Sequence, residues 1–372
     1  MTQPARAILD FAHEPCCTPI SDAVRSELLA DPGFGTIFSD HMVTIEWTEE
    51  RGWHDAVVGP RQPISLDPAA AVLHYAQEIF EGLKVYKQAD GSIALFRPEA
   101  NAARFKRSAK RLAMPELPDV LFVKAIEKLV GVDLDWIPSI PGGSLYLRPF
   151  LIATESFLGV RPAKQYKFIV IASPAGNYFK SGAPAISVWV SDYARAALGG
   201  TGAAKCGGNY AASLVPQGEA IARGHDQVVF LDAAEQRWVE ELGGMNLFFV
   251  FADGTMLTPA LTGTILAGIT RDSVMALARE EGLSVTEGRY GIDQWREDAL
   301  SGKLVETFAC GTAAVVTAVG KVSGRDGEFS IGSGEPGPVT QRLKARLVAI
   351  QRGEVPDSHG WIHPIARTGV QT

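Results

Sequence analysis

The sequence predicts an α/β protein of two domains, a smaller α+β amino-terminal domain followed by a larger mixed α/β domain. A chain of 372 residues is too long for one ordinary hydrophobic core. Short apolar strand candidates alternate with helical segments along its length. A stretch rich in Gly, Pro and Ala, PAGNYFKSGAPA, divides the chain near its middle. We therefore expect a small domain over 1–176, a linker over 177–186 and a large domain over 187–372.

The amino-terminal half begins with a turn-rich segment and continues with clear strand and helix patterns. Pro98 can open the helix that follows it, because proline fits the first helical position. An Ala-Asp-Gly turn between two apolar runs predicts a hairpin. The predicted elements are a strand at 42–47, a helix at 68–80, hairpin strands at 83–86 and 93–96, helices at 99–113 and 119–131, and strands at 144–152 and 166–173.

The carboxy-terminal half has shorter elements. Apolar runs predict strands at 186–190, 227–231 and 247–251, separated by turns. The clearest helix of this half is amphipathic and runs from about Thr264 to Glu281. This alternation indicates a mixed α/β domain.

Composition excludes several classes of function. A net charge of −7, a pI near 5.6 and the absence of a long basic run argue against a nucleic-acid partner. No apolar stretch approaches the ~18 residues that cross a bilayer, and the first residues lack the organisation of a secretory signal. Four cysteines and seven histidines give neither a disulfide framework nor a zinc spacing. We expect a cytoplasmic protein without a metal ion that binds neither nucleic acid nor membrane.

The most informative segment is LGGTGAAKCGGNYAAS, in which Lys205 lies among five glycines and Tyr210 follows five residues later. Glycines let the backbone approach a bound group closely. A flexible surface loop with a solvated lysine remains an alternative. A phosphate-binding P-loop is a weaker one, because Ala204 and Cys206 flank the lysine where that motif requires Gly and Ser or Thr.

A second segment, VEELGGMNLFFVFADG, places Glu240 and Glu241 directly before a strongly apolar strand. A carboxylate that enters a core needs a partner or becomes protonated. One of the two glutamates could therefore meet a buried cationic group. Two exposed acidic side chains before a strand are the alternative.

Two further segments could bind an anion. The turn that leads into the helix near Thr264 offers free backbone N–H groups and the positive end of the helix dipole. The Gly-Thr turn in FACGTAAVV, at 308–316, could add N–H and hydroxyl donors. Each signal is weak alone, since every helix has an amino end and many turns are only turns.

Two arginines could turn inward. Arg104 lies on the helix after Pro98 beside Phe105 and could reach a phosphate, although most basic residues on such a helix are solvated. In SLYLRPF, Tyr146 and Arg148 are two residues apart and share one face of a strand. An inward Arg148 would be unusual unless it met a carboxylate.

Taken together and in order, these segments resemble the branched-chain aminotransferases, which are fold-type-IV, class IV enzymes that use pyridoxal 5'-phosphate (PLP). The resemblance covers essentially the whole chain and implies the D-amino acid aminotransferase-like fold. The segment with Lys205 and Gly-Gly-Asn-Tyr is the most specific match. The matching motifs are YAQEIFEGLKVY, FRPEANAARFKRSAKRL, SLYLRPF, GGTGAAKCGGNYAAS, EELGGMNLFF, TGTILAGITRDSV and CGTAA.

The resemblance implies a role for each cofactor residue. Lys205 would be the catalytic residue and would carry PLP as a Schiff base. Tyr210 would bind the phenolic oxygen of PLP, and Glu241 would pair with the pyridine nitrogen. The phosphate would be held by Arg104, the backbone N–H groups of Ile269 and Thr270, and Thr312.

The resemblance also implies the substrate and its pocket. The reaction would be transamination of Leu, Ile and Val with 2-oxoglutarate, giving branched 2-oxo acids and glutamate. Arg148 is our candidate for the second carboxylate of glutamate, since the same pocket must accept it. Leu158 and Val160 match a loop that reaches the partner's pocket, which implies a homodimer. The substrate side chain would be surrounded by Tyr75, Phe80, Tyr146 and Tyr210. The substrate α-carboxylate would face the turn from Gly311 to Ala313.

Two other functions remain open from the sequence. A related enzyme, such as a D-amino acid aminotransferase or an aminodeoxychorismate lyase, would share the lysine and glutamate segments. A binding protein without catalytic activity is the alternative of a different class, and the absorbance of a lysine-bound PLP would distinguish it.

Overall fold

The computed structural model describes residues 9–176 and 184–366, and the chain divides into two compact units. The first unit comprises Met1–Tyr178 together with Arg352–Thr372, and the second comprises Phe179–Gln351. Residues 177–183 of the predicted linker lie outside the described residues. Its last two residues, 185 and 186, already belong to a strand, so the predicted linker is too long at that end.

The first unit is built on a mainly antiparallel sheet with helices packed against it. The strand order is β1-β3-β2-β8-β7-β5-β6, and β4 pairs with β7. The strands are β1 (Ala12–His13), β2 (His41–Thr48), β3 (Gly52–Pro60), β4 (Glu78–Phe80), β5 (Leu83–Lys87), β6 (Ile93–Phe96), β7 (Ser144–Ala153) and β8 (Gln165–Ala175). The helices are α1 (Asp22–Ala30), α2 (Ala71–Tyr75), α3 (Pro98–Arg111) and α4 (Asp119–Val132).

Aromatic packing joins the helices α3 and α4 to this sheet. Phe105 of α3, Phe122 of α4 and Phe168 of β8 are fully buried, with ring centroids 5.3–6.0 Å apart. Such pairs add to the stabilisation from burial alone. The predicted helices after Pro98 and at 119–131, the hairpin β5–β6 and the strands β2, β7 and β8 are confirmed within about two residues at each end.

The second unit contains a mixed sheet that closes on itself. Its strand order is β11-β10-β9-β16-β15-β12-β13-β14, with β17 beside β16. Because β11 also pairs with β12, six of these strands form a ring. The strands are β9 (Ala185–Val190), β10 (Gln227–Leu231), β11 (Val239–Leu242), β12 (Asn246–Phe251), β13 (Thr255–Pro259), β14 (Ser284–Gly288), β15 (Leu304–Gly311), β16 (Val315–Gly324) and β17 (Gly327–Ser330). The helices are α5 (Gly207–Ala211), α6 (Leu214–Ala222), α7 (Ile269–Glu280), α8 (Ile292–Leu300) and α9 (Pro338–Gln351).

The carboxy-terminal residues correct the predicted domain boundary. Strand β18 (Ile362–Ile365) pairs antiparallel with β6 and extends the sheet of the first unit. The assignment of 352–372 to the large domain was therefore wrong, because backbone pairing with a strand far away in sequence decides where this segment lies. The first unit then holds more residues than the second, the reverse of the predicted order of size.

Two predicted helices have the wrong limits. The segment 68–80 is helical only in α2, because Ala76 has a φ of +47° that ends the helix and β4 then pairs with β7. Helix α7 begins at Ile269 rather than near Thr264. The carbonyls of Thr264 and Leu266 accept hydrogen bonds from Arg195 and Asn246 instead of completing a helical turn.

No helix among the described residues is long and apolar enough to cross a membrane.

Candidate active site

Lys205 lies on an ordered loop that precedes helix α5 in the second unit. Asn209 is buried and its amide fastens this loop, donating to the carbonyls of Thr201 and Ala204 at 2.8 Å each. The Lys205 Nζ donates to the hydroxyl of Tyr210 at 2.8 Å. The loop is therefore not the flexible, solvated segment of the alternative interpretation, since Ala204 and Cys206 on either side of the lysine are buried.

Glu241 on β11 forms a buried ion pair. Its Oε1 accepts hydrogen bonds from the Nη2 of Arg195 and, at 3.3 Å, from the backbone N–H of Leu266. No residue within 9–176 or 184–366 donates a hydrogen bond to its Oε2. Burial raises the pKa of Glu241 to about 7, although the Arg195 guanidinium acts in the opposite direction. The predicted cationic partner of one glutamate is therefore present within the protein, and one carboxylate oxygen remains for a further donor.

Glu240 is also buried but has a different partner. It accepts a hydrogen bond from the hydroxyl of Thr264, on the loop that leads to α7. Burial raises the pKa of Glu240 above its ordinary value. Both glutamates thus contact the segment 264–266, and neither is the exposed acidic residue of the alternative interpretation.

Arg195 and Asn246 bring the predicted anion-binding segments next to Glu241. Arg195 also donates to the carbonyls of Gly202 and Thr264, which joins the lysine loop to the approach of α7. Asn246 lies opposite Glu241 in the β11–β12 pair and opposite Cys310 in the β12–β15 pair. The segments that carry Lys205, Glu241, the first residues of α7 and the β15–β16 turn are therefore assembled in one unit.

The first turn of α7 and the β15–β16 turn carry the residues that are predicted to bind anions. Gly268 precedes α7, and a β-carbon added there would lie 2.0 Å from the Oδ1 of Asn246, so a larger residue would displace the Asn246 amide. Ile269 and Thr270 then provide the first backbone N–H groups of this 12-residue helix, at the positive end of its dipole. Gly311 and Val315 close the β15–β16 hairpin, whose turn contains Thr312 and Ala313. The phosphate and carboxylate roles of these residues stay predictions.

Arg104 in the first unit turns inward, as the sequence suggested, and meets a carboxylate. Its Nε and Nη2 each donate at 2.8 Å to the two oxygens of Glu81, whose side chain is fully buried. Its part in binding a phosphate stays a prediction.

Tyr146 and Arg148 share one strand face, as predicted, and Phe80 lies beside them. The Nη2 of Arg148 is 3.4 Å from the Tyr146 hydroxyl, and its guanidinium lies 4.8 Å from the centre of the Phe80 ring. Arg148 has no carboxylate partner among the described residues, and its buried Nε makes no hydrogen bond there. The arrangement is an aromatic surface with a half-buried guanidinium that has no carboxylate partner within 9–176 and 184–366.

Tyr75 forms a separate contact in the first unit. Its hydroxyl donates to the carbonyl of Leu158, and its ring lies 6.4 Å from that of Phe157. The side chains of Leu158 and Val160 are 70% and 90% exposed. Leu158 and Val160 therefore lie on one exposed loop, and the Tyr75 hydroxyl is hydrogen-bonded to the backbone of that loop.

The family model for class IV amino-transferases matches residues 78–322, which include the Lys205, Glu241 and Arg104 positions described above. The chain belongs to this family. This class IV aminotransferase is 57% identical over 368 residues to the probable branched-chain-amino-acid aminotransferase of Streptomyces coelicolor, covering 98% of this chain and all of the relative. It is 55% identical to the branched-chain-amino-acid aminotransferase of Mycolicibacterium smegmatis, over 95% of this chain and 98% of that one.

Solved structures agree with this class IV aminotransferase in fold. The branched-chain amino acid aminotransferase of Escherichia coli matches with a TM-score of 0.73 and 29% identity, over 87% of this chain and 99% of that chain. The branched-chain amino acid aminotransferase of Thermobaculum terrenum, solved in its PLP form, matches with a TM-score of 0.69 and 25% identity, over 87% and 98%. The predicted fold-type-IV architecture and the recognition of the family are confirmed.

Sequence reasoning missed four polar residues of this aminotransferase: Glu81, Arg195, Asn209 and Asn246. Three of them stand inside matching motifs, and only their buried, hydrogen-bonded state identifies them. Arg195 lies ahead of the glycine-rich segment and carries no local signal. A count of buried charges would have demanded a cation near Glu241, but the sequence does not say which one.

Proposed function

We propose that this aminotransferase uses PLP to exchange amino groups between branched-chain L-amino acids and 2-oxoglutarate. The observation that carries the proposal is the buried Glu241, whose Oε1 is taken by Arg195 and whose Oε2 has no donor among the described residues. A protonated pyridine nitrogen supplies such a donor. The names of the two relatives at 57% and 55% identity support the branched-chain substrates.

The residues present fit the cofactor. Lys205 would hold its aldehyde, Tyr210 its phenolic oxygen and Glu241 its ring nitrogen. When bound, PLP supplies an electron sink for the negative charge that develops on the α-carbon of the substrate. The phosphate would be held by Arg104, the N–H groups of Ile269 and Thr270, and Thr312.

Lys205 would move the proton in this reaction. Its Nζ would take the proton from the substrate α-carbon as a general base. The Tyr210 hydroxyl, 2.8 Å from that Nζ, holds the amine in place. The amide of Asn209 fixes the loop, so that the amine returns to the same position in each cycle.

Glu241 would keep a proton on the ring nitrogen, and Arg195 would keep Glu241 oriented. The guanidinium binds Oε1 and two backbone carbonyls, which leaves the carboxylate little freedom to rotate. The pKa of about 7 belongs to the protein alone. A cationic neighbour at Oε2 would favour the ionised carboxylate.

The proposed pocket accepts both substrates of the exchange. Phe80, Tyr146 and Tyr75 would surround an apolar branched side chain, and Arg148 would bind the distal carboxylate of glutamate or 2-oxoglutarate. The role of Arg148 is supported by its guanidinium, which lies beside the rings of Phe80 and Tyr146 and pairs with no carboxylate of the described residues. The turn Gly311–Ala313 would face the α-carboxylate.

The proposed enzyme is a cytoplasmic homodimer. The exposed side chains of Leu158 and Val160 suit a loop that inserts into a partner subunit. Four free cysteines suit a reducing compartment. Sedimentation equilibrium should give twice the mass of the chain, and a stable, active monomer would contradict the dimer.

A substrate panel tests the proposal. With 2-oxoglutarate as acceptor, the purified enzyme should convert Leu, Ile and Val and should show a visible absorbance band that borohydride removes. Turnover of D-alanine alone would indicate a D-amino acid aminotransferase. A protein without the band, even after incubation with PLP, would contradict the proposed function.

A further inference from the structure

We infer that Glu81 is a positioning residue, which acts through Arg104 to make the protein prefer phosphorylated over unphosphorylated pyridoxal. This inference rests on the proposed function. Glu81 stands between Phe80 and Gly82, at the end of β4. Its carboxylate is the most enclosed charged group near Arg104, with a side chain that is 0% exposed.

The Glu81 carboxylate fixes the plane of the Arg104 guanidinium. Oε1 accepts from Nε and Oε2 accepts from Nη2, both at 2.8 Å. A two-point contact of this kind sets orientation as well as distance. Arg104 is itself buried, so the guanidinium cannot be satisfied by bulk water.

The same carboxylate is held from two further directions. The Nδ2 of Asn101, one turn earlier on α3, donates to Oε2 at 2.7 Å, and the backbone N–H of Gly82 donates to it at 3.2 Å. Asn101 also donates to the Gly82 carbonyl at 3.3 Å. Helix α3 and the turn between β4 and β5 are therefore tied together through one buried carboxylate.

This arrangement matters for a phosphate site because a buried arginine needs a counter-charge when no anion is bound. Glu81 supplies that charge and keeps the side chain inward. An arginine that is already oriented loses less conformational entropy when it binds a phosphate. Without Glu81, the Arg104 side chain would turn toward solvent and would have to be ordered again when the phosphate binds.

The opposing effect is direct repulsion between the Glu81 carboxylate and the phosphate. Orientation should dominate, because both Glu81 oxygens are saturated by donors, which spreads their charge over Arg104, Asn101 and Gly82. Orientation of Arg104 raises the affinity for PLP and repulsion lowers it, so the PLP affinity of a Glu81 variant shows which effect is larger.

The experiment compares the dissociation constants of PLP and pyridoxal for the cofactor-free protein, by fluorescence titration. Wild type should prefer PLP. Glu81→Gln should weaken PLP binding about tenfold or more while changing pyridoxal binding less than about threefold. In the Arg104→Gln background, Glu81→Gln should have no further effect on the PLP-to-pyridoxal ratio.

A matched control separates this role from general stability. Glu306 is a buried carboxylate that accepts hydrogen bonds from Val339 and Thr340 at the start of α9. Glu306→Gln should lower the melting temperature without changing the PLP-to-pyridoxal ratio. Should Glu81→Gln fail to fold, Glu81→Asp and Asn101→Ala carry the test, since both disturb the same contacts while keeping the buried charge.

Four outcomes would overturn the inference. An equal loss of PLP and pyridoxal binding would make Glu81 purely structural. Tighter PLP binding in Glu81→Gln would show that repulsion dominates. An unchanged PLP-to-pyridoxal ratio in folded Glu81 variants would show that Glu81 does not affect phosphate binding. A wild type without preference for PLP would contradict the proposed phosphate site as well.

Discussion

Each unit contains a buried glutamate–arginine pair, and the two carboxylates differ in how completely they are bound. In the first unit, Glu81 uses both oxygens, which accept from Arg104, Asn101 and the Gly82 backbone. In the second unit, the donors to Glu241 converge on Oε1, and Oε2 accepts no hydrogen bond within the part of the chain that the structure describes. Burial also raises the pKa of Glu241 to about 7.

The difference suits the two carboxylates to different roles. A saturated carboxylate has no capacity for a ligand and serves to orient its arginine. A carboxylate with one open oxygen and a raised pKa can exchange a proton with a bound group. Changes in the second unit should therefore lower kcat most strongly, and changes in the first unit should mainly alter affinity and specificity.

The largest effect is expected for Lys205→Ala in the second unit. Loss of a general base and of covalent attachment should lower transamination by at least about 10³-fold. The fold should persist, because Lys205 is only half-buried. Borohydride reduction of the wild-type enzyme, followed by peptide mapping, should find the cofactor on Lys205. A label on another lysine would contradict the assignment.

Glu241→Gln sharpens the comparison within the second unit. Removal of the charge beside the ring nitrogen should lower kcat on the order of a hundredfold while PLP still binds. Glu240→Gln is the control, because Glu240 is buried and accepts a hydrogen bond from Thr264, whereas the hydrogen bond from Arg195 goes to Glu241. Its effect should stay below about tenfold. A larger loss of kcat in Glu240→Gln than in Glu241→Gln, measured by stopped-flow kinetics, would contradict the assignment of Glu241 to the ring nitrogen.

Arg148→Met tests recognition in the first unit. A charge-assisted pair with the distal carboxylate contributes about 1.5–3 kcal/mol. The glutamate half-reaction should therefore lose on the order of ten- to a hundredfold in kcat/KM, and the leucine half-reaction far less. Single-turnover spectroscopy of each half-reaction measures both. An equal decrease in the two would remove the substrate-binding role.

A smaller effect is expected for Gly82→Ala, which acts on Arg148 through Tyr146. A β-carbon on Gly82 would lie 2.0 Å from the Tyr146 hydroxyl, so the ring must shift, which disturbs the 3.4 Å contact of that hydroxyl with the Arg148 Nη2. Overpacking of this kind costs about 1–3 kcal/mol, and we expect the KM for glutamate to rise about five- to tenfold. Adding Tyr146→Phe removes the clashing oxygen and should recover part of the fold stability. A Gly82→Ala enzyme with unchanged KM and melting temperature would contradict this account.

The smallest expected effect is a pH dependence of stability in the cofactor-free protein. The pKa of Glu241 is raised from its ordinary 4.5 to about 7 in the folded chain. Between these values the native state binds more protons than the unfolded state, so the free energy of unfolding should fall as pH rises through this window. Urea unfolding across the window should show a flatter profile for Glu241→Gln. Identical profiles would mean that Glu241 does not titrate there.

Local patterns in the sequence predicted much of the fold and part of the site. Alternation along a strand placed Tyr146 and Arg148 on one face, and proline at a helix start placed α3. The glycine-rich segment put Lys205 and Tyr210 five residues apart, close enough to meet. These features depend on neighbours within a few residues, and such neighbours are visible in a sequence.

The sequence by itself thus determined the family, the main strands and helices, and the residue types of the site. Only the tertiary structure decided that Arg195 pairs with Glu241 across 46 residues, and that Glu81 pairs with Arg104 across 23. It also decided that α2 ends at Tyr75, that α7 begins at Ile269 and that β18 joins the first unit. In each case the partner of a buried polar group or strand edge lies far away along the chain, and its identity follows from packing rather than from local pattern.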